Sequence, residues 1–375
     1  MATATAPITR LSEPTIGPEE IDAATRVLRS GRIVQGPEVA AFEDEFSRAA
    51  AGGLDCVAVN SGTSALFLAL LALGIGPGDE VVVPSFSFAA TANAVRLTGA
   101  DVVFADIDPA TYCLRPDAAA AAITPRTTAL LPVHLYGHPA AMDDLRAIAS
   151  RYRIAIVEDA CQAHAATLNS RHVGTFGQAG CFSFYPTKNM HSLEGGMICT
   201  PDPAIARTLR LLRNQGMEQR YANEIVGGNW RMTDVSAAVG RVQLTRLARA
   251  TARRRANAAV LTHLLAGTAL TLPAAAAGAD PVWHQYTVRT PTGHREHLQR
   301  TLAAHGIETG VYYPTPIHRL APYADTGPWS LPHTDLAAGQ VLSLPVHPHL
   351  RDEDLHRIAT AVQAAAASVP IEASR

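Results

Sequence analysis

Apolar residues along the chain fall into short continuous runs separated by stretches of helical spacing. Residues 56–59, 80–83, 101–105, 128–133 and 154–157 are short and rich in aliphatic side chains. Runs of that kind predict strands buried on both faces. Residues 19–28, 65–73, 88–97 and 140–151 carry helical periodicity. Further strands are predicted at 181–184 and 197–199, and further helices at 202–213 and 233–255. Strand and helix alternate, which implies an α/β fold with a mostly parallel central sheet and helices on both faces. An Ala/Gly/Pro run at 272–281 breaks the pattern. Beyond it, a strand at 283–289, a helix at 294–305, a strand at 310–313 and a helix at 352–367 describe a smaller α/β piece. The expected division is a loose arm over 1–10, a large domain over 11–245 and a smaller C-terminal domain over 246–375, with the change on the long helix.

Composition narrows the classes. Of 375 residues, 47% are hydrophobic and 17% charged, so a large core forms and wholesale disorder is excluded. A net charge of −2 argues against a nucleic-acid partner or a membrane surface. The five cysteines (Cys56, Cys113, Cys161, Cys181, Cys199) are widely spaced with no C-x-x-C pair. They read as reduced thiols rather than a disulfide frame or zinc site. No basic segment followed by an apolar one opens the chain, and the longest apolar stretch, near 65–75, is too short to cross a bilayer. The expectation is a cytoplasmic protein.

One count changes the picture. Lys+Arg is 31, and Lys188 is the single lysine. Most surface lysines tolerate arginine. A site that needs a primary amine does not, because a guanidinium stays protonated and forms no stable imine. Lys188 is therefore a candidate for Schiff-base chemistry, against the alternative of a surviving surface lysine. Its surroundings favour chemistry. Ser61-Gly62-Thr63-Ser64 sits between a predicted strand and a helix, where free N–H groups bind anions; taken alone, an ordinary capping turn explains it as well. Glu158-Asp159 closes a central strand, the end at which ligands bind in open parallel sheets. The lysine follows Phe182-Ser183-Phe184 at the end of another strand, with Gly195-Gly196 nearby. An anion cup, a strand-end carboxylate and a unique amine together match what pyridoxal 5′-phosphate (PLP) requires.

These residues lie in longer stretches, SGTSAL, GDEVVVPSFSFAATANA, HLYGHPAAMD, EDACQAHAA, GCFSFYPTKNM, NWRMTDVSAAVG and YYPTPIH, that resemble the DegT/DnrJ/EryC1/StrS family of fold type I sugar aminotransferases. The resemblance spans residues 11 to about 367. It implies that Lys188 holds PLP as an imine and then moves the proton between Cα and C4′. It implies that Asp159 pairs with the pyridine nitrogen, Gln162 lies by the phenolic oxygen and Phe88 stacks on the ring. Gly62, Thr63, Ser64 and Ser183 would hold the phosphate. Asn229 would reach it from a neighbouring subunit, making a homodimer with shared sites. Tyr313 and His318 would line the substrate side. Histidine pairs 134/138 and 347/349 have ligand-like spacing, but the resemblance makes them turn residues, and no metal is expected.

The sequence departs from the family where glycine is usual, at Ala165, at Leu193 and within 167–171, changes expected to reshape the substrate pocket. The implied reaction moves an amino group from an amino acid, glutamate by expectation, to a ketone of a nucleotide-linked deoxysugar. PTIGPEEI near the start resembles members acting at the sugar C4 carbonyl more than at C3. The alternatives are the same chemistry on a cyclitol or another secondary-metabolite ketone, and a non-catalytic regulatory protein.

Overall fold

The computed structural model describes residues 8–367. In chain order it builds α1 (Pro18–Ser30), α2 (Pro37–Ala50), β1 (Asp55–Val59), α3 (Gly62–Ala72), β2 (Glu80–Pro84), α4 (Ala90–Thr98), β3 (Asp101–Ala105), β4 (Thr127–Leu130), α5 (Met142–Tyr152), β5 (Ala155–Asp159), β6 (Ala179–Ser183), β7 (Gly196–Thr200), α6 (Pro203–Arg213) and α7 (Asp234–Leu265). There follow β8 (Tyr286–Arg289), α8 (Arg295–Ala304), α9 (Pro332–Gln340), β9 (Val341–Leu344) and α10 (Asp352–Ala367).

Seven strands form one sheet in the order β1-β7-β6-β5-β4-β2-β3. The pairings from β6 to β3 are parallel, and β7 runs antiparallel to both β1 and β6. Side chains of β2 alternate between two cores, which is why Val81, Val82 and Val83 are apolar in succession. Val81 and Val83 face Leu66 and Leu70 of α3, while Val82 faces Met142 and Leu145 of α5. Helices therefore cover both faces, as the alternation implies.

The Arg-rich stretch does not end the long helix. α7 runs to Leu265, ten residues past the predicted stop. Its N-terminal half buries Ala237 and Leu247 with Phe42 and Phe46; its C-terminal half buries Ala258, Leu261 and Leu265 with Tyr286, Leu342 and Ile358. Its arginines reach outward to backbone: Arg253 to the Leu350 carbonyl, Arg254 to that of Trp283, Arg255 to that of Pro281.

Three further points differ from the pattern-based reading. Residues 310–313 are not a strand: only Gly310 pairs, with Ser343, and Tyr313 is left-handed at φ 59°. The strand beside β8 is β9, whose register is Tyr286 opposite Leu344. Ile317, Tyr323 and Leu331 return to the core beneath the large sheet. Of the expected arm, residues 1–7 lie outside the described residues, and Thr9 pairs with Ile307. Among the described residues no helix is long and apolar enough to cross a membrane.

Candidate active site

The C-terminal ends of β5 and β6 and the N-terminus of α3 meet at one place. Ser61 caps α3 by accepting from the Ser64 N–H (3.1 Å), and the Ser64 hydroxyl donates to Asn60 Oδ1 (2.7 Å). The Ser64 hydroxyl thus braces the turn. The N–H groups of Gly62 and Thr63 remain at the helix start, where no intrahelical acceptor exists. Gly62 is required by packing: a Cβ there would lie 2.6 Å from Ser183 Cβ and 3.0 Å from Cys161 Sγ. Gly196 has the same constraint against the Ser61 carbonyl.

Asp159 ends β5, buried, and its position is fixed from two sides. The Thr91 hydroxyl donates to Oδ2 (2.8 Å), and the Cys161 N–H donates to Oδ1 (3.2 Å). Thr91 also meets the Ser87 hydroxyl at 3.0 Å, and its backbone N–H donates to the Phe88 carbonyl (3.1 Å). One threonine therefore links the carboxylate to the segment bearing Phe88, a residue that is 62% exposed. Sequence reasoning missed Thr91. Its only signal is placement three residues after Phe88 in SFSFAAT.

Gln162 joins two tyrosines. Its carbonyl oxygen accepts from the Tyr136 N–H (2.8 Å), and its amide donates to the Tyr313 hydroxyl (2.8 Å). Tyr136 and Tyr313 stack at 6.3 Å and 13°. Both have left-handed backbones, φ 57° and 59°, a conformation that costs an L-residue and concentrates at functional sites. Burial pushes the Tyr313 phenol above its ordinary value, so it stays protonated.

Lys188 sits half-buried in the turn after β6. Burial holds its amine below the ordinary lysine value, and the nearby Cys161 and Asp159 groups offset part of that shift. Two histidines missed at the sequence level flank it. His164 is fully buried between the rings of Phe182 and Phe184 at 5.6 Å each, and burial drives its pKa to about 3. Neither ring nitrogen has a hydrogen-bond partner among the described residues. His284 contacts Asn189 Oδ1 (3.2 Å) and is likewise held neutral by burial. Neutral imidazoles add no positive charge beside the amine.

The chain thus brings together Gly62, Ser183, Asp159, Gln162, Tyr313 and Lys188, with Phe88 tied in through Thr91. His318 lies elsewhere on the rim, its Nδ1 2.7 Å from the Ser85 hydroxyl beyond the end of β2. Asn229 is exposed, its backbone pairs with Asn214, and no hydrogen bond joins it to the Lys188 group among the described residues. The histidines with ligand-like spacing bond within the chain: His134 to Glu158 (3.0 Å), His138 to the Pro139 carbonyl and His347 to the Arg10 carbonyl.

These residues fit PLP. Paired N–H groups at a helix start, over a glycine that no Cβ could replace, suit a phosphate. A buried, doubly anchored carboxylate suits a protonated ring nitrogen. A half-buried primary amine of lowered pKa suits the aldehyde, and an exposed aromatic face suits the ring. The positions where the family carries glycine also explain themselves: Ala165, Leu193, Asn169 and Ser170 have φ of 62°, 65°, 49° and 64°. The backbone keeps the left-handed form that favours glycine, so the substitutions add side chains without refolding the turns.

Comparison with known proteins agrees. The DegT/DnrJ/EryC1/StrS aminotransferase family matches residues 14–363. The erythromycin biosynthesis sensory transduction protein EryC1 of Saccharopolyspora erythraea is 48% identical, covering 90% of this chain and 93% of its own. The dTDP-3-amino-3,4,6-trideoxy-alpha-D-glucose transaminase of Streptomyces venezuelae is 47% identical, covering 92% and 91%. The solved structure of S. venezuelae DesV superposes with a TM-score of 0.90 at 46% identity, covering 94% of this chain and 95% of that one.

Proposed function

Because the chain belongs to the DegT/DnrJ/EryC1/StrS aminotransferase family, we propose that it moves an amino group from glutamate to a ketone of a nucleotide-linked deoxysugar. It is a PLP-dependent aminotransferase, and the observation that carries the reading is its one lysine, half-buried beside Asp159 at the end of β6.

Bound PLP supplies an electron sink for the charge that develops when the donor loses its α-proton. The chain supplies the rest. Lys188 would hold the cofactor through Nζ, and its lowered pKa leaves a larger neutral fraction able to take up and return a proton there. Asp159, its carboxylate held by the Thr91 hydroxyl and the Cys161 N–H, would pair with the ring nitrogen. Gln162, held between the Tyr136 N–H and the Tyr313 hydroxyl, would lie by the phenolic oxygen. Gly62, Thr63 and Ser183 would hold the phosphate, with Ser64 bracing the turn, and Phe88 would stack on the ring.

The 47% identical S. venezuelae protein carries a 3-amino sugar in its name. That favours amination at C3, against the expectation drawn from PTIGPEEI. A homodimer belongs to the same reading. Asn229 is exposed in the same segment as the exposed Tyr221 (81%) and Val226 (94%), and a second copy on this segment would bring Asn229 to its partner's site.

The test is a panel of acceptors offered to the glutamate-loaded enzyme: 3-keto and 4-keto dTDP-sugars and keto cyclitols. Preferential amination of a 3-keto nucleotide sugar is expected. Preference for a cyclitol, with no turnover of nucleotide sugars, would overturn the substrate class.

A further inference from the structure

A cavity of about 410 Å3 lies between α7, the Ser12–Thr15 segment and the Lys188 turn. Its lining carries Lys188, Arg246, Arg249, Arg253 and Arg254 against a single carboxylate, Glu13. Arg246, Arg249 and Arg253 recur at three- and four-residue spacing, so one face of α7 presents a stripe of like charge. Such a stripe is unfavourable unless counter-charges meet it.

Two of the arginines are met. Arg246 pairs with Glu19 and with Glu20 (2.7 Å), and Arg253 pairs with Asp352 (2.9 Å). The other two are not. Arg249 is exposed, with no ion-pair or hydrogen-bond partner among the described residues. Arg254 is only 7% exposed, and its guanidinium meets the carbonyls of Trp283 (3.1 Å) and His284 (3.4 Å). Those carbonyls satisfy donors but do not neutralise charge. Its Nε has no partner, and no carboxylate among the described residues reaches it. A guanidinium buried without a counter-charge is unfavourable, and a planar fork is shaped for an oxyanion.

We propose that this cavity is an anion subsite of the enzyme, in which Arg249 and Arg254 receive a carboxylate or phosphate group of a substrate held next to Lys188. The inference rests on the aminotransferase reading and deepens it. That reaction brings two such groups to the site, the carboxylates of an amino-acid donor and the diphosphate of a nucleotide-linked acceptor. Both are oxyanions that a guanidinium fork binds.

The test is calorimetric titration of the PLP-loaded full chain with glutarate, a dicarboxylate lacking the amine, and with inorganic pyrophosphate. At least one is expected to bind. R249Q and R254K are expected to weaken it by about tenfold each, the scale of one charge-assisted hydrogen bond. Binding of glutarate alone assigns the subsite to the donor, and binding of pyrophosphate alone assigns it to the acceptor. If neither binds the wild type, or both variants bind as the wild type does, the proposal is overturned. Should R254K fail to fold, R249Q carries the test. The visible band of bound PLP and its response to glutamate, recorded on the same samples, report separately on the aminotransferase reading.

Discussion

The residue that couples the most parts of the site is Thr91. Its hydroxyl fixes Asp159 and its N–H fixes the Phe88 carbonyl, so a threonine-sized side chain with a donor is needed. Thr91→Val keeps the shape and removes the hydroxyl. It should weaken PLP binding by about tenfold, the loss of a hydrogen bond to a charged group, in an absorbance titration, with Thr91→Ser restoring it. Unchanged PLP affinity in the valine variant would remove Thr91 from the site. His164 makes a separate prediction. Its pKa is about 3 when folded against an ordinary value of 6.5. Between those values the unfolded chain binds the extra proton. The stabilisation is therefore complete above pH 6.5 and is lost as pH falls towards 3. His164→Leu should flatten the acid limb of stability against pH by about 1.4 kcal/mol per pH unit, read from denaturant midpoints between pH 6.5 and 4.5. Equal slopes for both proteins would contradict it.

At the scale of elements, strained turns hold the site. Leu193, 37% exposed, keeps a left-handed backbone in the turn after Lys188. A left-handed L-residue costs roughly 1–2 kcal/mol, of which glycine returns part through its greater freedom when unfolded. Leu193→Gly should therefore raise unfolding stability by about 0.5 kcal/mol in urea denaturation; a clear loss would show that the Leu193 side chain packs for stability. Much of this layer is legible in the sequence, because β1 to β7 are apolar runs and the helices between them carry one period. What escapes is what periodicity does not encode. The Arg-rich end of α7 reads as a stop, but its arginines bond backbone carbonyls of the C-terminal segment. Residues 310–313 have a strand's composition, yet Tyr313 turns left-handed to stack on Tyr136. The pattern predicts none of α2, α9 and β9. Lys188, Asp159 and Gln162 are legible through motif and count. Thr91 and His164 are not, because their importance is a matter of which neighbour they face in three dimensions.

At the scale of the whole molecule, one chain supplies most of the proposed site but leaves Asn229 outside it. The shared-site reading predicts sedimentation at twice the 39.6 kDa chain mass. It also predicts that Asn229→Ala weakens PLP binding while the dimer persists. A monomer with full PLP affinity would contradict it. Lys188 makes this chain a PLP aminotransferase. That role is tested most directly by the visible absorption spectrum of the PLP-loaded protein before and after glutamate. A visible band is expected that glutamate converts to the near-ultraviolet band of the amine form of the cofactor, with no such band in Lys188→Ala. A protein that forms no visible band with added PLP, or a Lys188→Ala variant that still transaminates, would contradict it.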